Sequence, residues 1–395
     1  MSKIRTGDQN LVKKINKSIV LQSIENTGPI SRAQISKDTG LNKATVSTMV
    51  SELIDDNFVN EIGIGKSSGG RKPVMLYFNN YAGYSIGIDL GVNYILAVLT
   101  DLKGNIIAEI SEQLTRTEVD EITDHVKVII QRLIDKAPNS SYGIVGIGIG
   151  TPGSVNKDGM ILFTPYLSFK EVNLKQLIET KFNIPTIIVN EANAGAHGEQ
   201  VYGVGKNISN LVYASIGIGI GTGIIINDSL YTGSTGISGE MGHLTIETFG
   251  KKCRCGNRGC WELYASEGAL LQEAKMLNIF KEFTTVDLHM IENEAAKGNI
   301  EVLQLLNTIG EYIGIGLTNI INTFNPEMII LGNRIARFES WITSSIYQTI
   351  DERLSTFHRE SIKINFASLG KYSSVLGASS FAISAFLDDN RVVVT

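Results

Sequence analysis

Cysteine is nearly missing from this chain: 395 residues hold three, all inside the stretch "CRCGNRGCWE" at residues 253–262. A disulfide framework needs thiols spread along the chain that can pair, so that class is excluded. Thiols clustered without partners elsewhere point instead to a reducing compartment and to metal ligation. Long apolar runs are missing too. The most apolar stretch, "LVYASIGIGIGTGIII" at residues 211–226, is too short and too rich in glycine to span a bilayer. The start, "MSKIRTGDQN", lacks the apolar centre of a signal peptide. With 43% hydrophobic and 19% charged residues, the expectation is a soluble, globular, cytoplasmic protein of two or three domains.

The net charge of −5 is unevenly shared. Residues 1–80 carry 11 Lys/Arg against 7 Asp/Glu, or +4, and the remainder carries 24 against 33, or −9. A basic front on an acidic body suits a small module that meets a polyanion. Within that front, "KKINKSIVL" places Ile15, Ile19 and Val20 on one helical face. The following "GPISRAQISKDTGLNKATVSTMVSELIDDNFV" reads as two short helices around a turn. Ser31 caps the first, with Gln34 three residues on as in a capping box. Gly40 supplies the left-handed turn residue and Asn42 caps the second helix. There Val46, Val50 and Leu53 face inward, leaving Lys43, Ala44, Thr45, Ser47, Thr48 and Ser51 outward. A helix with short hydrogen-bonding side chains can enter a major groove and approach base edges.

Next, "FVNEIGIGKSSGGRKPVMLYFN" has the layout of a wing: strand, glycine-rich loop, strand. Lys66, Arg71 and Lys72 on or beside its loop suit phosphates or a narrow minor groove. The expected DNA contacts are therefore Ser31 and Arg32, then Asn42, Lys43, Ala44, Thr45, Ser47 and Thr48, and the wing cations Lys66, Arg71 and Lys72. The plainer alternatives are a helical hairpin that dimerises or packs, with an ordinary solvated linker after it.

After residue 81 buried strands alternate with glycine turns. "YSIGIDLGVNYILAVLTDLKGNIIAEI" reads as a three-strand meander. "GIVGIGIGTPGSV" is a strand running into a turn at residues 150–153, and "IPTIIVNEANAGAHGE" a strand that ends at Asn190 and opens a helix. A glycine-punctuated hairpin, a long apolar helix and a further strand follow. Strand, glycine turn and helix occur twice, which predicts duplicated α/β lobes with a cleft between them.

Residues 83–380 resemble the ROK family (repressors, open reading frames, kinases), most specifically through Gly239-Glu240-Met241-Gly242-His243, then Cys253, Cys255 and Cys260, then Glu262. The resemblance is closest to the family's transcriptional repressors, among them the xylose repressors of Gram-positive bacteria. It implies an α/β fold: an N-terminal winged helix-turn-helix, then a two-lobed, actin-like (ribonuclease-H-like) domain. The expected divisions are 1–80 for the DNA-binding domain and 81–192, completed by 376–395, for lobe 1. Lobe 2 is 193–375, with the metal motif and a dimerisation surface.

Three thiolates and one imidazole, from Cys253, Cys255, Cys260 and His243, make a closed tetrahedral set of the kind structural zinc prefers. Gly256 and Gly259 allow the tight fold this needs, and Lys251, Lys252, Arg254 and Arg258 are expected to favour thiolates. The alternatives are a redox-sensing thiol group or inert buried cysteines. Holding that loop sets Glu240 and Glu262 relative to each other, and two carboxylates can accept from adjacent sugar hydroxyls. In the family's kinases the matching glutamates and histidine touch the sugar. The resemblance thus implies Glu240, His243 and Glu262 as sugar contacts, joined by Asn190 and Glu191.

The nucleotide half departs from the kinase pattern. The first phosphate loop, Asp-x-Gly-Gly-Thr in the kinases, reads Asp89-Leu90-Gly91-Val92-Asn93, and Asn-Asp-Ala-Asn has become Asn190-Glu191-Ala192-Asn193. The extra methylene moves the base by roughly an ångström, which can cost about a hundredfold in rate. Gly-Thr-Gly is Gly217-Ile218-Gly219, and the adenosine-side pair is Gly332-Asn333. The expectation is therefore no catalysis. The chain should be a homodimeric or larger repressor that binds operator DNA and is released by a small sugar, for which the resemblance suggests D-xylose. The other readings are an active ATP-dependent sugar kinase with an appended DNA-binding domain, and a sugar sensor whose front module binds protein.

In the groove-reading arrangement, Lys43→Ala or Thr45→Ala weakens operator binding and leaves sugar affinity unchanged in mobility-shift and calorimetric measurements. The wild-type affinity for DNA should fall steeply with salt.

Overall fold

Helix α1 (Gln9–Thr27) opens the computed structural model, which describes residues 9–64, 73–115, 118–360 and 362–389. It buries Val20, Leu21 and Ile24, whereas Ile15 and Ile19 are only half-buried. The inward face is thus rotated from the expected one, because its C-terminal half packs against the next two helices and a strand. Strand β1 (Ile30–Ser31) leads into α2 (Arg32–Thr39), and the Ser31 hydroxyl accepts from the Gln34 backbone N–H at 3.2 Å. Gln34 does not close a capping box. Its amide donates to Asp38 at 2.6 Å. Gly40 makes the turn at φ 71°, and Asn42 caps α3 (Lys43–Asp55) by accepting from the Thr45 N–H at 2.8 Å. Val46, Met49, Val50 and Leu53 point into the core, and Lys43, Ala44, Ser47, Thr48 and Ser51 stand exposed. Strands β2 (Val59–Ile64) and β3 (Val74–Phe78) form the antiparallel wing, with β1 on the other edge of β3.

This front module is not hung on a free linker. Its core continues into the body through Ala82, Leu102, Val145, Ile383 and Leu387. Phe58 stacks on Tyr142 at 5.0 Å, the Tyr142 hydroxyl donates to the Asp56 carbonyl at 2.7 Å, and Phe386 closes the aromatic group at 5.2 Å from Tyr142.

The first lobe is built from β4 (Tyr84–Leu90), β5 (Tyr94–Asp101), β6 (Ile106–Gln113), α4 (Val119–Ile134) and β7 (Ile144–Thr151). It continues through the small strands β8 (Ser154–Val155), β9 (Ile161–Phe163) and β10 (Lys170–Val172) to α5 (Leu174–Phe182) and β11 (Thr186–Asn190). Its main sheet runs β11-β7-β4-β5-β6, with β4, β7 and β11 parallel and the meander antiparallel. Strand β7 continues through Gly150 and Thr151, pairing Thr151 with Asn190, so the turn begins two residues later than expected, at Pro152-Gly153.

Helix α6 (Glu191–Tyr202) crosses to the second lobe: β12 (Leu211–Ile216), β13 (Ile220–Ile226), β14 (Ser229–Leu230), α7 (Glu262–Ala265) and α8 (Glu267–Ala274). Then come α9 (Leu288–Ala296), α10 (Ile300–Phe324), β15 (Met328–Gly332), α11 (Glu339–Arg353), α12 (Thr356–Arg359) and β16 (Lys363–Phe366). Helix α13 (Ser373–Asp389) returns to the first lobe. The second sheet, β14-β13-β12-β15-β16, repeats the first: a meander, then two strands parallel to its first member. The two lobes are thus one α/β plan used twice, the actin-like arrangement.

Helix α6 lies on the second sheet, α13 on the first, and the two pack on each other. A Cβ on Gly377 would drive into the Ala194 carbonyl, and one on Gly148 into the Ala378 carbonyl. Backbone cannot yield as a side chain can, so Gly377→Ala should cost about 3 kcal/mol or more in urea unfolding, at the upper end of overpacking. The control Gly298→Ala, at φ 79° with nothing near its added Cβ, should cost only about 1–2 kcal/mol of left-handed strain.

Candidate functional site

The metal-type cluster forms because the chain doubles back twice within a few residues. Thr245 bridges to Cys260 and Lys252 to Arg258. Gly256 (φ 97°) and Gly259 (φ 68°) take conformations that favour glycine. Trp261, fully buried, donates its indole N–H to the Tyr312 carbonyl at 2.8 Å and ties the loop to α10. His243 Nδ1 and the sulfurs of Cys253, Cys255 and Cys260 then lie within 4.8 Å of one another. Two of these separations, His243 to Cys253 and Cys255 to Cys260, are 3.7 Å. Metal bonds of about 2.0–2.3 Å put tetrahedral donors roughly 3.3–3.8 Å apart, so the set fits a cation.

The charge logic differs from the expected one. Lys251 turns away to Glu273 at 2.7 Å and Arg254 reaches out of the loop, so neither serves as counter-ion to the sulfurs. Burial pushes the Cys253 thiol up to about 12 and raises Cys260 as well. Cys255 goes the other way: burial opposes it, but the Asn257 N–H and the two other thiols lower it. Three crowded thiols cannot all ionise together unaided, and a cation held by them would supply the missing charge.

Beside the cluster opens a cleft between the lobes. Met241–His243 forms a single 3₁₀ turn after Gly239, placing Glu240 on the cleft wall, where it accepts from Ser154 of the first lobe at 3.1 Å. Glu262 starts α7 and lies 3.3 Å from the Cys253 sulfur and 3.5 Å from His243 Nδ1. Glu240, His243, Glu262, Asn190 and Glu191 all line this one cleft. Asn190 is partly occupied already: its oxygen caps α6 through the Ala192 and Asn193 N–H groups, and its amide donates to the Gly153 carbonyl at 2.8 Å. Glu191 accepts from Ser215 at 2.7 Å, and Ser215 in turn accepts from Asn333 at 3.0 Å.

The other end of the cleft holds the glycine loops Gly91-Val92-Asn93 and Gly217-Ile218-Gly219 together with Arg334. The Arg334 guanidinium donates to Asn93 Oδ1 at 3.0 Å and to Glu267 Oε1 at 3.2 Å, and lies 5.4 Å from the Tyr94 ring centre. Glu267 is buried, with burial raising its carboxyl and Arg334 opposing that rise. Asp89 accepts from Tyr94 at 2.7 Å and from Ser374 at 3.2 Å. Burial, then the facing Glu191 charge, pushes Asp89 up to about 7, and burial raises Glu191 too. Sequence reasoning missed Tyr94, Ser154, Tyr166 and Arg334, and it expected Arg254 beside the thiolates rather than reaching to Pro165 and Tyr166. The one local hint was an aromatic and an arginine directly following two of the altered nucleotide motifs.

On the front module, Lys43, Ala44, Ser47 and Thr48 are exposed and Thr45 is half-buried. The Thr48 hydroxyl donates back to the Ala44 carbonyl at 3.1 Å, and Arg32 pairs with Glu61 of the wing at 2.9 Å. Ser31 and Asn42 spend their side-chain oxygens on helix caps. Lys66, Arg71 and Lys72 lie outside the described residues.

A family model described as "ROK family" matches residues 85–385. The xylose repressor of Bacillus spizizenii is 49% identical over 382 residues, covering 97% of this chain and 98% of its own. A crystal structure of a ROK family transcriptional regulator, a homologue of the Escherichia coli Mlc protein, superposes with a TM-score of 0.81 at 28% identity. That match covers 96% of this chain and 97% of the other. A ROK family glucokinase from Streptomyces griseus, solved with glucose and AMPPNP, gives a TM-score of 0.71 at 26% identity, covering 76% of this chain and 100% of its own.

Asp89 binds its proton more tightly folded than unfolded, so its stabilising protonated form is complete below about pH 4 and is lost as pH rises through about 7. Asp89→Asn should therefore raise stability by roughly 2 kcal/mol at pH 8 and change little at pH 4, measured by thermal unfolding across pH.

Proposed function

The chain belongs to the ROK family, and on that premise we propose that it is a sugar-responsive transcriptional repressor, released from operator DNA by a small aldose. The observation that carries this reading is the difference between the two ends of the cleft. At one end, carboxylates and a histidine converge beside the metal-type cluster. At the other, where a kinase cradles phosphates, Arg334 donates to Asn93 and Glu267 and lies over the Tyr94 ring. Asparagine and valine in a phosphate loop leave little to position a nucleotide, and Glu191 is engaged with Ser215 rather than poised as a base.

In this reading residues 1–80 bind DNA, residues 81–192 with 376–395 form lobe 1, and residues 193–375 form lobe 2. Glu240, Glu262 and His243 meet hydroxyls from one lobe, Asn190 and Glu191 from the other. His243, Cys253, Cys255 and Cys260 hold zinc, which supplies charge to keep the thiolates ionised and the loop rigid. The name of the Bacillus relative supports D-xylose as the inducer. Two subunits present two α3 helices to a palindromic operator, with Lys43, Ala44, Thr45, Ser47 and Thr48 toward the groove. Among the described residues no helix is long and apolar enough to cross a membrane, in keeping with a repressor working in the cytoplasm.

Helix α13 supplies the connection between the two functions. Its first turn holds Ser374, bonded to Asp89 in the pocket adjoining the cleft, and its last turns place Ile383, Phe386 and Leu387 in the core of the front module. Its 17 residues span about 25 Å as one rod. Closing the lobes around a sugar re-aims that rod, and the front module must follow. Linkage then requires the sugar to bind the DNA-bound form more weakly.

Calorimetric titration with D-xylose, D-glucose and N-acetyl-D-glucosamine, with and without an operator duplex selected from a random library, tests this. D-xylose should bind free protein, and operator should weaken that binding by about 5- to 150-fold. ATP-dependent phosphorylation of any of these sugars at ordinary kinase rates would overturn the reading in favour of an active kinase.

A further inference from the structure

We infer that Arg254 and Tyr166 form a clasp across the mouth of the cleft, with Tyr166 a wall of the sugar site and Arg254 the residue that positions it. This rests on the reading of the cleft as a sugar site.

Arg254 is the residue between Cys253 and Cys255, so the backbone that carries it is held by the metal-type loop. The Cys253 N–H donates to the Asn257 carbonyl at 2.8 Å and the Gly256 N–H to the Cys253 carbonyl at 3.1 Å. From this second-lobe loop the guanidinium crosses to the first lobe. It donates to the Pro165 carbonyl at 3.1 Å and stands 4.2 Å from the centre of the Tyr166 ring. That distance is well inside cation–π range, and the paired hydrogen bond fixes the direction of approach.

The receiving segment is rigid in its own right. Between β9 and β10, Thr164 donates its hydroxyl to the Leu167 carbonyl at 2.7 Å and its N–H to the Phe169 carbonyl at 3.1 Å. Leu167 and Phe169 are buried, so Pro165 and Tyr166 are presented at the cleft rather than left loose. Tyr166 lines the main cleft and also a side chamber that it shares with Glu240, His243, Glu262 and Arg254. A sugar held by those acids has Tyr166 beside it, and a rigid ring covers the apolar face of a pyranose at little entropic cost. It leaves by parting Arg254 from Pro165 and Tyr166. The metal-type loop therefore holds one lobe to the other across the bound ligand, in addition to holding His243.

The test uses the full-length, metal-loaded protein and D-xylose, with stopped-flow dissociation rates beside calorimetry. Arg254→Ala and Tyr166→Ala should each weaken sugar binding about tenfold, mostly through faster release. Tyr166→Phe, which keeps the ring, should recover most of the affinity that Tyr166→Ala loses, and Arg254→Lys should fall between Arg254→Ala and wild type. The double alanine variant should be no weaker than either single one. Metal content per chain and operator affinity should stay at wild-type values, readouts that a merely structural role would move. Should Arg254→Ala lose metal, Tyr166→Ala alone decides, since Tyr166 is not a donor. Wild-type release rates in Tyr166→Ala, or fully additive losses in the double variant, overturn the clasp while leaving the sugar site intact. Wild-type protein that binds none of the aldoses overturns the sugar-site reading, and the clasp with it.

Discussion

Two helices, α6 and α13, touch backbone to backbone, and the rest of the structure depends on that contact. Gly198 and Gly377 make it possible, since a Cβ on either would strike the opposite main chain. The same device recurs where α13 lies on its sheet: Gly87 and Gly148 leave room for the backbone at Val375 and Ala378. Close approach brings a buried charge with it. Glu199 is fully buried, and its carboxylate accepts from the N–H groups of Val204, Ser368 and Leu369 and from the hydroxyls of Ser368 and Ser373. Such a group is tolerated in the interior only because every side of it is bonded. A carboxylate thereby welds α6 to the segment that turns into α13.

From that weld the two ends of the molecule are set. Helix α6 begins at Glu191 in the cleft, and α13 begins beside Asp89 and finishes inside the core of the front module. A change in the angle between the lobes has no slack joint in which to disappear. The front module shares one hydrophobic cluster with the body and is pinned by Phe58, Tyr142 and Phe386.

Electrostatics decide what the cleft is for. Asp89, Glu191 and Glu267 crowd one end, and burial drives each carboxyl toward its protonated form. In a kinase, bound metal and nucleotide dominate the charge in such a place. Here the cation is covalently part of the chain: Arg334 pairs with Glu267, reaches Asn93 and lies over Tyr94. At the opposite end the metal-type loop keeps Glu262 within 3.5 Å of His243. One end of the cleft is filled by Arg334 and its partners, and at the other Glu240, His243 and Glu262 line the open space together.

The sequence by itself determined what short-range chain geometry can determine. The caps at Ser31 and Asn42, the turn at Gly40, the wing strands and the convergence of His243 with three cysteines all arise within about twenty residues of chain, where loop closure costs little. The duplicated lobes were legible because buried strands followed by glycine turns recur in order. Rotation of the α1 face and the outward reach of Arg254 were not, since each is settled by a neighbour distant in sequence, whereas the open capping box at Gln34 turns on a competing local acceptor, Asp38. Arg334 meets Asn93 across 241 positions, Arg254 meets Pro165 across 89 and Ser154 meets Glu240 across 86. Those pairings depend on how two separately folded sheets are set against each other. That placement comes from the crossing of α6 and α13, so only the tertiary structure could decide which side chains bridge the cleft and which are left to meet a ligand.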